Sequence, residues 1–200
     1  MARKKLPVVL NDDERLDLLA QPNPRYLTGH RNRVLLQLMA NLGLRLSEAI
    51  NLRWRDIDFT PGILMVRNGK GGKDRTLHIS NKNWRGESDR EALEGWKARQ
   101  AEALGKLPEF VFTTTSEKAA GQKLQPAYVQ NMIKRYATRA ALDKRVSPHT
   151  LRHTFATDLY RLTKNIVAVQ EALGHSSIET TMVYVHLVGA DLKAALAYPS

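Results

Sequence analysis

Between Ser147 and Tyr160 the chain reads SPHTLRHTFATDLY, and three basic side chains, His149, Arg152 and His153, fall within five residues of it. Leu151, Phe155 and Leu159 recur every four residues and account for the buried face of a helix. The basic groups need a different reason. His149 and Arg152, three apart, project from about the same side of such a helix. A cluster of that kind can hold a metal, an anion or only water.

Zinc is the first candidate, because His149 and His153 are spaced as in zinc-protease helices and His175 offers a third ligand. Two residues oppose it. Thr150 stands where the catalytic Glu would be, and Arg152 sets a fixed positive charge beside any cation. A nucleotide loop fails as well: Asn68-Gly-Lys-Gly-Gly-Lys-Asp74 has neither the Walker spacing nor a helix after it. An oxyanion fits. The guanidinium of Arg152 is a planar fork that grips phosphate, and His149 can move a proton near neutral pH. Cysteine is absent, so a nucleophile must come from elsewhere. Serine and threonine lack a distinctive setting, while Tyr184 lies in ETTMVYVHL, one helix after ALGHSS.

The elements that must position these groups follow from pattern. Asn11 with Glu14 reads as a capping-box variant opening a helix to about Ala20. A second helix spans about Thr28 to Leu42 and stops at Gly43, and a third runs from about Ser47 to Leu52. Then the period changes. Asp56 to Phe59, Ile63 to Arg67 and Arg75 to Ile79 predict short strands, the lysine-bearing glycine run joining the last two. Lys82 to Leu104 predicts one polar helix with a break at Gly86, Phe110 to Phe112 a short strand, and Pro126 a helix to about Ala140. Ser147 and Pro148 start a helix reaching Leu162. Asn165 caps the next, which Gly174 closes; Ser177 starts one more with Tyr184, and a separate tail helix begins near Asp191. The expected fold is α+β, mainly α-helical, with a small three-stranded antiparallel sheet.

Composition narrows the partner. At 200 residues with 42% hydrophobic content, the chain is long enough for a cored domain and too apolar for disorder. No apolar run is long enough to span a bilayer, and the absence of cysteine fits a cytoplasmic location. Thirty-one Lys and Arg against twenty Asp and Glu leave a net charge of +11, which points to a polyanion, foremost nucleic acid.

Four segments, NLGLRLSEAINLRWRDID, NGKGGKDRTLHI, SPHTLRHTFATDLY and ALGHSSIETTMVYVHL, stand in the order and approximate spacing of tyrosine recombinases. The chain therefore resembles the phage-integrase family from about Asn11 to Leu187. The resemblance implies a catalytic domain over residues 11–187, an N-terminal extension over 1–10 and a tail helix over 188–200 that docks on a neighbouring subunit. It implies a catalytic set of Arg45, Lys70, His149, Arg152, His175 and Tyr184, supported by Glu48 and His153, with Lys73 and Arg75 on the DNA.

The implied chemistry is site-specific cleavage and rejoining of double-stranded DNA. Arg45 and Arg152 neutralise the non-bridging oxygens in the transition state, and Tyr184 attacks phosphorus. His149 is the expected base, Lys70 the general acid on the 5′-oxygen, and His175 a hydrogen-bond partner of the phosphate. The 3′-phosphotyrosine conserves the bond energy, so no metal, ATP or other cofactor is expected. The expected state is a monomer when free and a homo-oligomer on DNA, in the cytoplasm with the nucleoid and off the membrane. Most members of the family carry a further N-terminal DNA clamp, so this chain is expected to be a stand-alone catalytic domain or part of a longer integrase. Two alternatives stay open, a non-catalytic DNA-binding paralogue and a type IB topoisomerase-like relaxing enzyme.

Overall fold

A computed structural model describes residues 6–67 and 74–196, with side chains as far as Ala190. Its helices are α1 (Asp12–Ala20), α2 (Leu27–Leu42), α3 (Leu46–Asn51), α4 (Asp89–Leu104), α5 (Pro126–Arg139), α6 (Pro148–Thr163), α7 (Ile166–Leu173) and α8 (Met182–Leu196). Three strands, β1 (Ile57–Asp58), β2 (Ile63–Val66) and β3 (Arg75–His78), form an antiparallel sheet in the order β1-β2-β3. The fold class is the expected one, mainly helical with a small sheet.

Local chemistry sets most of the boundaries. Asn11 accepts the N–H of Glu14 while the Glu14 carboxylate takes the N–H of Asn11, completing the capping box of α1. α2 ends where Gly43 turns into the left-handed region at φ 62°. Only glycine suits that position, since a Cβ there would sit 2.3 Å from the Phe155 ring.

One apolar core fills the space between α2, α4, α5 and the sheet, with Leu35, Leu36, Met39, Trp96, Phe112 and Ile133 fully enclosed. Phe155, Ala156, Val169, Leu173 and Tyr184 form a second, smaller cluster where α6, α7 and α8 meet. α6 joins the two clusters, with Leu151 in the first and Phe155 in the second.

Three expectations are corrected. The polar stretch from Lys82 breaks at Gly86 as expected, but it is not helical ahead of that break. Asn83 accepts the N–H groups of Arg85 and Glu87, Gly86 turns at φ 78°, and Ser88 caps a helix that starts only at Asp89. Phe110 to Phe112 is no strand of the sheet; Phe110 makes an isolated bridge with Arg53. The tail is not a separate helix either: α8 runs without interruption from Met182 to Leu196, after a 3₁₀ turn at Ile178–Thr180. Pairing the tail with the helix of Tyr184 avoids the cost of nucleating a short isolated one.

Candidate active site

Helix α6 is built from its first residue to present basic groups. Ser147 accepts the N–H of Thr150, Thr150 Oγ1 accepts the N–H of Ser147, and Pro148 occupies the first turn without an orphan donor. Arg152 then projects inward and is buried, while His149, one turn earlier, stays exposed. The guanidinium of Arg152 donates to the carbonyls of Gly43 at 2.6 Å and Leu173 at 2.5 Å. Those carbonyls belong to the ends of α2 and α7, where helical carbonyls lack intrahelical partners and carry partial negative charge.

The end of α7 gathers two further arginines. Arg75 Nε donates to Ala172 O at 2.9 Å, and Arg45 Nη2 donates to Gly174 O at 3.2 Å. Three successive terminal carbonyls, at 172, 173 and 174, thus each hold one guanidinium. Glu48 gives the same arginines their shared anion. It takes both Arg75 amino groups at 2.8 Å, Arg45 Nη1 at 2.7 Å and the Arg45 backbone N–H at 2.7 Å, and lies 3.9 Å from Arg152. Burial works against its charge, yet Arg75 and Arg45 outweigh that and hold the carboxyl at about 2. Burial and the neighbouring Arg45 lower Arg152 to about 10, so it remains a cation at neutral pH. Three cations face one carboxylate. The excess positive charge suits a phosphate.

His175 follows Gly174 and points to the start of α8, its Nδ1 3.0 Å from Thr181 Oγ1. Burial, then Arg152 and Arg45, hold its imidazole down at about 4. Tyr184 lies one turn beyond Thr181, and its residue exposure is 1%. Burial pushes its phenol up to about 12, opposed by the charge of Arg152. Its Oη lies 2.9 Å from Nδ1 of His153. A groove of about 650 Å³ borders Arg45 and Arg152 and is lined also by exposed His149, by Gln130, Asn131 and Lys134 of α5, and by Lys144 and Arg145.

The structure therefore brings Arg45, Glu48, His149, Arg152, His153, His175 and Tyr184 to the meeting point of α2, α6, α7 and α8. Lys70 and Lys73 lie outside the described residues. Arg75, expected on the DNA, instead turns inward with its guanidinium committed to Glu48 and Ala172, because β3 packs against α7. His153, not His149, meets the tyrosine. Sequence reasoning missed Thr181 altogether; the polar pair Thr180-Thr181 just before the Tyr184 helix was its only signal. Among the described residues no three His, Asp or Glu side chains group as a metal set, and no helix is long and apolar enough to cross a membrane.

Comparison with known proteins gives the same picture. The model of the phage integrase family matches residues 9–190. Tyrosine recombinase XerC of Xanthomonas campestris pv. campestris (strain B100) is 40% identical over 186 residues, covering 93% of this chain and 53% of that protein. Tyrosine recombinase XerD of Staphylococcus aureus (strain Mu50 / ATCC 700699) is 34% identical over 194 residues, 95% of this chain and 61% of that protein. The chain thus spans about half of the first and three-fifths of the second. Among solved structures, XerH site-specific recombinase bound to palindromic difH substrate in a post-cleavage complex superposes with TM-score 0.77 at 28% identity, over 96% of this chain and 53% of that one. The catalytic domain of bacteriophage HP1 integrase superposes with TM-score 0.61 at 25% identity, over 95% of this chain and 94% of that one. The chain belongs to the phage integrase family.

Proposed function

We propose that the chain is the strand-transferring part of a site-specific DNA recombinase, cleaving DNA through Tyr184 and rejoining it through the same 3′-phosphotyrosyl bond. The observation that carries this reading is the excess of guanidinium charge, Arg45, Arg75 and Arg152 around the single carboxylate of Glu48, next to a buried tyrosine on the neighbouring helix. Phosphodiester attack needs its developing charge stabilised by fixed donors, and Arg45 and Arg152 serve that purpose. His175, poised neutral, donates to a phosphate oxygen. Lys70 supplies the proton to the departing 5′-oxygen.

The basic groove beside His149 takes the DNA backbone, which suits the net charge of +11. The XerH structure, captured on its own DNA substrate, supports a DNA partner for this chain as well. The protein works on chromosomal DNA in the cytoplasm, free as a monomer and assembled into a homo-oligomer on paired sites. With a nicked suicide duplex carrying the recognition sequence, the chain should form a covalent protein–DNA adduct in chelator and without ATP. A duplex bound tightly but never cleaved would make it a DNA-binding protein instead. Supercoil relaxation without strand exchange between two sites would make it a topoisomerase.

A further inference from the structure

Tyr184 is buried, and a buried O–H needs a hydrogen-bond partner. Among the described residues its hydrogen-bond partner is Nδ1 of His153, at 2.9 Å. The two rings lie 5.8 Å apart and tilted by 51°, so they are not a stacked pair. His149 is one turn away on α6, its ring centroid 6.4 Å from that of His153, and it faces the open groove. An exposed imidazole there is placed to meet DNA, whereas the tyrosine Oη lies within hydrogen-bond reach of the second histidine.

We propose that His153 is a catalytic residue, the base that accepts the phenol proton of Tyr184, and that His149 acts on the phosphate side. The proposal rests on the strand-transfer reading of Tyr184 given above. In the resting site the phenol donates to Nδ1, which fixes His153 as the neutral tautomer with its proton on Nε2. Burial, with His149 and Arg152 beside it, holds the imidazole below its ordinary range, so it is free to accept. As the Oη–P bond forms, the proton passes to Nδ1 and His153 becomes an imidazolium. The P–O5′ bond breaks, its electron pair leaves on the 5′-oxygen, and Lys70 protonates that oxygen. An imidazolium beside His149, Arg152 and His175 is unfavourable in the free protein, and the incoming phosphate offsets it. Proton transfer is thereby coupled to correct seating of the DNA.

The test compares single-turnover cleavage of suicide DNA by His153→Gln, His153→Ala and His149→Gln, each with tyrosine or with a site-specifically incorporated fluorinated tyrosine at 184. Fluorination makes the phenol more acidic and reduces its need for a base. Both His153 variants should cleave about 100-fold more slowly, within the usual range for losing a general base, with duplex affinity unchanged. The fluorinated nucleophile should recover about tenfold or more of that loss in the His153 variants and little in His149→Gln. A purely structural role for His153 predicts no such recovery. Recovery confined to His149→Gln, or no loss in either His153 variant, would overturn the assignment. Equal melting temperatures of the Gln and Ala variants establish that both are folded; where Ala unfolds, Gln decides. No adduct from the unsubstituted chain would overturn the strand-transfer reading itself, a result distinct from a working parent whose His153 variants are unaffected.

Discussion

Glu48 is the residue whose loss the site should tolerate least. Its carboxylate balances Arg45 and Arg75 directly and Arg152 at longer range, all in a largely enclosed setting. Glu48→Gln keeps the shape and removes the charge, leaving cations without their anion. Breaking a buried pair in this way costs about 3–5 kcal/mol, read as a lower urea midpoint, and added duplex DNA should restore part of it by supplying phosphate. A loss below about 1 kcal/mol would mean that the cluster behaves like a surface pair. His175 gives a pH signature. Its folded form is held at about 4 against an ordinary 6.5, so the unfolded chain takes up the proton first. Its contribution is therefore whole above pH 6.5 and shrinks as the pH falls toward 4. An imidazole NMR titration should find His175 neutral through that window in the free protein and titrating at higher pH once DNA is bound; an unshifted titration would detach it from the phosphate. The His149–Arg152 pair was legible in sequence because one helix fixes their relative direction. The His153–Tyr184 and Arg75–Ala172 contacts were not, because they are made when α8 packs on α6 and β3 on α7.

At the scale of elements, punctuation residues did most of the work. Asn11, Ser147 and Asn165 cap the helices they were expected to cap, and Gly43 and Gly174 stop theirs in the left-handed region. Where side-chain hydrogen bonds replace helix, as around Asn83, hydrophobic period gave no warning and only Gly86 signalled the break. Gly189 looks like a place to end a helix, yet the helix passes through it. A Cβ at Gly189 meets nothing within 4 Å, so Gly189→Ala should stabilise the fold by about 0.5–1 kcal/mol through helix propensity alone. A thermal melt measures this. Destabilisation instead would show that α8 needs to bend at that point.

For the molecule as a whole, fold class and sheet were readable from periodicity, and charge alone pointed only to nucleic acid in general; the assignment to DNA strand transfer needed four motifs in register. The net charge of +11 and the groove lined by Lys134, Lys144 and Arg145 imply binding through backbone phosphates. Each phosphate neutralised adds about 0.9 to the slope of log affinity against log salt, so several contacts should give a steep line. A nearly flat line would contradict a phosphate-dominated interface. Tyr184 as nucleophile is what covalent chemistry on DNA decides. The direct measurement is covalent trapping on nicked suicide DNA by the unsubstituted chain and by Tyr184→Phe, with duplex affinity measured alongside. The expected result is an adduct mapped to Tyr184 in the first, none in the second, and equal binding in both. An adduct that persists in Tyr184→Phe would contradict the account.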